Sequence, residues 1–303
     1  MRFRAALTNA TLLLRVVQTM DKLTKTAILK LTRSKLHLIV LTDMDSGLQL
    51  WTDITTSALF SDYRIESVHD DEIYLEFTID NLQRALKSTQ TNTSTSNQCT
   101  LRLTKKQHLP VLSLVIQTQS AMGREMVLTQ DVPVRVLTPQ QMESIREPMV
   151  PDGQVHVMMP SLGSVRSVVE RMKSMGDRVA VSANRLGELN IRVNNELVDI
   201  TTYFKGLENL NDDSVATQDG SQAAVDRAPG EYYTAVVDMK NFVRFLQSYY
   251  VAPKNIVCCI IENFALVFYV YIGSTAGFGN NGVAALNDQN CGSMTYFIPV
   301  RQQ

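Results

Sequence analysis

The sequence predicts an α+β fold of two similar domains, each built from antiparallel strands with two helices on one face. The first observation behind this is a repeated ending: Val132-Pro133-Val134-Arg135 in mid-chain is matched by Ile298-Pro299-Val300-Arg301 at the end. The second is a repeated order, with each half running strand, helix, several strands, helix, several strands. The third is that strands dominate and neighbour one another in sequence, which favours antiparallel pairing with helices on one side.

In the first half, Arg2 to Leu7 alternates as a strand, and Asn9 to Leu23 reads as an amphipathic helix. Strand-like runs follow at Thr26 to Leu31, Leu36 to Leu41 and Leu48 to Thr52. Glu72 to Thr78 alternates again and runs into a helix at Asp80 to Lys87, where Asp80 stands at the N-cap position. Two more strands precede the first Pro-Val-Arg. Proline has no N–H to donate, so it belongs at the edge or end of a strand.

The second half repeats this order. Val155 to Met159 is a strand and Ser161 to Met175 a helix capped by Ser161. Arg178 to Ala183, Glu188 to Val193 and Leu197 to Phe204 read as strands. Tyr232 to Val237 leads into a helix at Asp238 to Leu246, with Asp238 as its cap. Leu137 to Pro151 contains three prolines and no strong period, so it reads as a connector between domains 1–136 and 152–303. Thr89 to Gln98, Gly206 to Gly230 and Gly273 to Asn290 are polar or glycine-rich and read as long surface loops.

The 303 residues are enough for two ordinary domains. With 45% hydrophobic and 19% charged residues the composition is that of a globular chain, not a disordered one. A net charge of -1 excludes a surface that is basic all over. Any contact with nucleic acid therefore requires a local basic stripe. Arg2, Arg4 and the apolar residues after them faintly suggest a leader. Thr8, Asn9 and Thr11 interrupt that run, Arg15 ends it, and no stretch is long enough for a bilayer, so a soluble chain is expected. The sequons at Asn9 and Asn92 are then chance matches.

The motifs for chemistry are weak. Cys99, Cys258, Cys259 and Cys291 form no C-x-x-C pair and read as reduced thiols. His37, His69, His108 and His156 are scattered and suggest no triad or zinc site. Gly277 to Gly282 matches G-x-G-x-x-G, but no helix and no distant acidic residue follow, so it reads as a glycine-rich hairpin loop. Asp43-Met44-Asp45 and Asp70-Asp71-Glu72 read as turns. No metal, no cofactor and no catalytic group is expected.

The helices carry the most suggestive pattern. In the first, Leu13, Val16, Val17 and Met20 share one face, with Arg15 and Lys22 opposite. In the second, Leu82, Ala85, Leu86 and Thr89 share a face, and Arg84 and Lys87 lie away from it. In the third, Arg166 and Lys173 share the polar side. In the fourth, Phe242, Phe245, Leu246 and Tyr249 form the apolar face, with Lys240 and Arg244 opposite. Acidic residues on these faces are few, Glu170 being the main exception. Solvated helix faces often carry Lys and Arg. Repetition in equivalent helices of both halves instead suits contact with phosphates regardless of sequence.

Several segments resemble a known family. They are Met1 to Ala5, Glu72 to Glu76, Asn81 to Lys87, Glu147 to Asp152, Ser167 to Lys173, Gly187 to Asn190, Glu196 to Val198, Thr201 to Lys205 and Tyr296 to Pro299. Together they are similar to the hydroxyurea-sensitivity subunit of the nine-one-one DNA-damage checkpoint clamp, within the proliferating-cell-nuclear-antigen-like superfamily. The loops 206–230 and 273–290 are longer than that family's pattern. The resemblance implies a DNA sliding-clamp fold with two helices of each domain on the inner face. It implies two other clamp subunits in a head-to-tail ring, a clamp loader, and double-stranded DNA with recessed junctions. Checkpoint and repair proteins would be further partners, without a membrane, and the location would be nuclear with a cytoplasmic pool. A homotrimeric replicative processivity clamp and an enzyme with an unrecognised site are the alternatives.

Closing a ring needs an exposed edge strand at each end of the subunit. By resemblance to clamps these are expected at Leu109 to Gln117, with Val111, Leu112, Leu114 and Val115, and at Arg178 to Ala183, with Val179 and Val181. Pro110 supports an edge position for the first.

Overall fold

The computed structural model describes residues 1–42, 47–90, 98–119, 125–210, 228–273 and 290–301. Asp43-Met44-Asp45, the Asn92 sequon, the glycine motif at 277–282 and most of the three expected loops lie outside them. The chain divides into two compact units. The first comprises Met1–Thr42, Leu50–Glu147 and Ile272–Ser293, and the second Asp43–Gln49, Pro148–Tyr271 and Met294–Gln303.

In the first unit, strand β1 (Arg2–Leu7) leads into helix α1 (Ala10–Asp21), capped by Asn9, whose side chain accepts from the Leu12 N–H at 3.0 Å. Strands β2 (Thr26–Leu31), β3 (Lys35–Leu41) and β4 (Gln49–Thr55) follow. A single helical turn α2 (Thr56–Leu59) and strand β5 (Phe60–Glu66) come next. Neither is legible in the pattern: β5 has few apolar residues and pairs only with β1. Strand β6 (Ile73–Thr78) runs straight into α3 (Ile79–Gln90), which begins one residue before Asp80. Asp80 therefore lies inside the first turn, where its charge still complements the helix dipole. Strands β7 (Gln98–Lys106), β8 (Leu109–Gln119) and β9 (Glu125–Val136) complete the order β4-β3-β2-β6-β9-β8-β7-β1-β5. Helix α1 packs against α3.

Pro133 sits where β9 changes partner. Glu125 to Pro133 pairs with β8, and Val134 to Val136 pairs with β6. A residue with no N–H is tolerated at such a handover. Beyond it, Thr138 and Gln141 form a capping box on the short helix α4 (Pro139–Glu143).

The second unit holds β10 (Val155–Met158) and α5 (Leu162–Met172), where Ser161 accepts from the Ser164 N–H at 3.3 Å as the expected cap. Strands β11 (Arg178–Ala183), β12 (Leu189–Asn194), β13 (Asp199–Phe204) and β14 (Tyr233–Asp238) form one sheet in the order β13-β12-β11-β14. Helix α6 (Met239–Phe245) is capped by Asp238 and tightens into a 3-10 segment, Leu246–Val251. Strands β15 (Asn255–Ile261), β16 (Ala265–Gly273) and β17 (Asn290–Pro299) follow β10 in the order β10-β15-β16-β17. Phe242, Phe245, Phe268 and Tyr296 form an aromatic core, in which Phe245 stacks on Phe268 with ring centres 3.7 Å apart.

The structure overturns the expected edge strands. β8 is flanked by β7 and β9, and β11 by β12 and β14, so both are interior. Val111, Leu112, Leu114, Val179 and Val181 are buried, and Val115 is half-buried. A strand apolar on both faces is a covered strand, which is what β8 is. Pro110 misleads because it pairs only with Lys105 of β7, and the β9 ladder begins one residue later, at Val111. Its missing N–H costs nothing there.

Among the described residues, other edges are open: β13 pairs only with β12, and Glu125 to Pro133 of β9 pairs only with β8. On that stretch of β9, Met126 and Val127 are 51% and 65% exposed, while Tyr203 of β13 is 60% exposed. The remaining ends are blunted. The outer edge of β10 is taken by hydrogen bonds with residues 208–210, Met158 to Glu208 at 2.8 Å and Leu210 to His156 at 2.9 Å. Val236 of β14 accepts from the Arg301 N–H at 2.9 Å. β5 is broken by Asp62 at φ 46° and carries exposed Asp62, Arg64 and Glu66.

Candidate nucleic-acid interface

The amphipathic reading of three helices holds in detail. Leu13, Val16, Val17 and Met20 are buried under α1, Leu82, Ala85 and Leu86 under α3, and Val165, Val169 and Met172 under α5. Each helix shields its apolar stripe against its own unit, which turns the opposite face to solvent. Lys22, Arg84, Lys87, Lys173 and Lys240 are exposed, and Arg15, Arg166 and Arg244 are half-buried. Because α1 packs on α3 and α5 packs on α6, the cations of each unit come from neighbouring helices. Lys25, Arg171 and Lys254 add positive charge nearby in sequence.

The faces are less purely basic than the sequence suggests. Lys22 lies 3.8 Å from Asp21, Arg84 pairs with Asp80, and Lys173 pairs with Glu170. The Lys173 hydrogen bond, with Arg166 beyond it, holds the Glu170 carboxyl below its ordinary range. These pairs lie at the surface and are screened by salt, so a polyanion can compete with the carboxylates. Arg244 donates to Asn241 at 3.4 Å. Arg166 lies over the ring of Tyr249, with its guanidinium carbon 5.8 Å from the ring centre.

Tyr249 corrects the fourth helix. Phe242, Phe245 and Leu246 are buried as expected, but Tyr249 is 52% exposed and Tyr250 40%. Tyr249 lies not on the regular helix, which ends at Phe245, but on the 3-10 segment Leu246–Val251 that follows it. Ala252 at φ 51° then ends the segment.

Two other features carry no site. Asp71 is committed to a turn: it accepts from the Ser67 N–H at 2.9 Å and pairs with Arg33, which together keep its carboxyl below the ordinary range. A shallow cleft of about 440 Å³ at the end of α1 is lined by Lys22 and Lys25 but also by Asp21 and Asp80, so its charges balance. Among the described residues no cluster of His, Cys, Asp and Glu could hold a metal, and no helix is long and apolar enough to cross a membrane.

Against known proteins, the family model described as "Hus1-like protein" matches residues 1–302. The checkpoint protein hus1 of Schizosaccharomyces pombe is 34% identical over 299 residues, covering 98% of each chain. Human checkpoint protein HUS1 is 31% identical over 269 residues, 87% of this chain and 92% of that one. The crystal structure of proliferating cellular nuclear antigen from Entamoeba histolytica superposes with a TM-score of 0.67 at 12% identity, covering 99% of both chains. The fold is therefore that of a sliding clamp. With a family match along nearly its whole length and relatives above 30% identity, the chain belongs to the Hus1-like protein family.

Proposed function

We propose that this chain is a non-catalytic subunit of a heterotrimeric checkpoint clamp, which encircles DNA at damaged or stalled sites and serves as a platform for checkpoint kinase activation and repair enzymes. Its two clamp domains are 1–136 and 152–303, joined by the connector 137–151. The observation that carries the reading is the recurrence of basic side chains on the solvent faces of equivalent helices in both units of a clamp fold. Membership of a family whose relatives are checkpoint proteins supports the same reading, and a nuclear site of action is part of the proposal. Ring closure is assigned to the open edges observed, the first stretch of β9 and strand β13. Strand addition would satisfy their free backbone groups and exposed side chains would select the partner. Two other clamp subunits, a clamp loader and duplex DNA with a recessed junction are the partners this implies.

The test is DNA retention by the assembled ring. Neutralising Arg15, Lys22, Arg84, Lys87, Arg166, Lys173, Lys240 and Arg244 together weakens retention regardless of sequence. Each lost phosphate contact flattens the plot of log affinity against log salt by about 0.9. Thermal stability changes little, because five of the eight charges are exposed and the other three are half-buried at the surface. Unchanged retention or an unchanged salt slope refutes the assignment.

A further inference from the structure

The second unit presents two tyrosines that phosphate binding does not need. Tyr249 and Tyr250 stand next to each other on the 3-10 segment after α6, 52% and 40% exposed, with ring centres 6.5 Å apart and planes at 65°. The segment packs against α5, and from α5 Arg166 lies over Tyr249. The neighbouring helical segments, Leu162–Lys173 and Met239–Val251, carry Arg166, Arg171, Lys173, Lys240 and Arg244 against one carboxylate, Glu170, which is already paired with Lys173. Asp238, just before α6, is occupied as its cap and by Arg301.

A surface that only tracks duplex phosphates is served by Lys, Arg and small polar groups. In a duplex the flat faces of the bases are stacked on each other, so an exposed aromatic ring finds no partner there. In single-stranded DNA the faces are free, and a ring flanked by cations can stack on a base while its neighbours hold the phosphates. Both rings belong to the 3-10 segment that follows α6, and both reach the surface there. Arg166 extends the platform, since a guanidinium plane also stacks on bases and rings.

We propose that Tyr249 and Tyr250, with Arg166 beside them, form a stacking platform for unpaired bases, so that this unit binds single-stranded DNA as well as duplex. The proposal rests on the clamp reading and sharpens it: it selects the single-stranded side of a recessed junction, which uniform phosphate contact cannot distinguish.

The experiment uses the full chain and fluorescein-labelled DNA at fixed low salt, as a thymidine oligonucleotide and as a blunt duplex of equal length. Y249A/Y250A lowers single-strand affinity about ten-fold or more, in line with the loss of stacking on one or two bases. The same variant leaves duplex affinity unchanged, and Y249F/Y250F binds the single strand as the unaltered chain does. With iodouracil in the oligonucleotide, irradiation crosslinks the chain at Tyr249 or Tyr250, located by mass spectrometry. Single-strand affinity unchanged in the alanine variant overturns the proposal. So does an equal loss on both DNAs, or an unaltered chain that does not bind the single strand. The clamp reading stands or falls separately, on duplex retention by the assembled ring with the eight basic residues neutralised.

Discussion

Single residues show how environment assigns work to side chains that look alike in sequence. Tyr296 and Tyr249 both follow apolar patterns, yet the first is fully buried against Phe245 while the second is half in solvent. The cysteines make the same point with a measurable consequence. Burial pushes the Cys99 thiol up to about 11 and the Cys259 thiol up to about 12, and it also raises Cys258. A thiol is nucleophilic only as thiolate. Near pH 8 the folded protein is expected to leave Cys99, Cys258 and Cys259 almost unmodified by iodoacetamide, whereas in guanidinium chloride all four cysteines label. Rapid native labelling at Cys258 would contradict the buried, adjacent pair on β15.

At the scale of elements, hydrogen-bond neighbours decide the consequence of a change more than sequence character does. β11 has a partner on each side, and Val181 within it is 1% exposed. Val181→Pro removes a ladder hydrogen bond, leaves its buried acceptor unpaired and cuts into the core. The expected loss is about 3–5 kcal/mol, seen as a fall in Tm of roughly 10 °C or more by circular dichroism. A variant that melts like the unaltered chain would show β11 to be dispensable to its sheet. Elsewhere, α1, α5 and α6 begin where their capping side chains say they should, because a cap is a local interaction between residues two or three apart. β5 escaped notice because the strand that pairs with it is β1, a contact about 60 residues away in sequence.

At the scale of the molecule, a clamp subunit must expose what a monomer would cover. The open stretch of β9 and the edge strand β13 are the candidates for joining other subunits. Val127→Glu and Tyr203→Glu are both expected to fold normally, with Tm within about 2 °C, since each side chain is more than half exposed. In co-purification with two clamp partners, each variant is expected to lose one partner and keep the other, and the lost partner differs between the two. Loss of neither would place the joints elsewhere.

The sequence by itself determined the class of fold, the internal repeat, the caps of α5 and α6 and the apolar stripes of α1, α3 and α5. All of these are periodic or local, set by spacing along the chain. It also marked the eight basic residues, whose side of each helix follows from the stripe opposite. Only the tertiary structure decided which strands are edges, because Val111 and Val181 are equally apolar in an interior strand and at a subunit joint. Strand neighbours are set by contacts between residues far apart in sequence. The structure likewise decided the fate of Tyr249, which lies on the 3-10 segment after α6 and is 52% exposed although the pattern put it on the apolar face. Neither a hydrophobic pattern nor a proline encodes such differences, because they are set by packing between segments far apart in the chain.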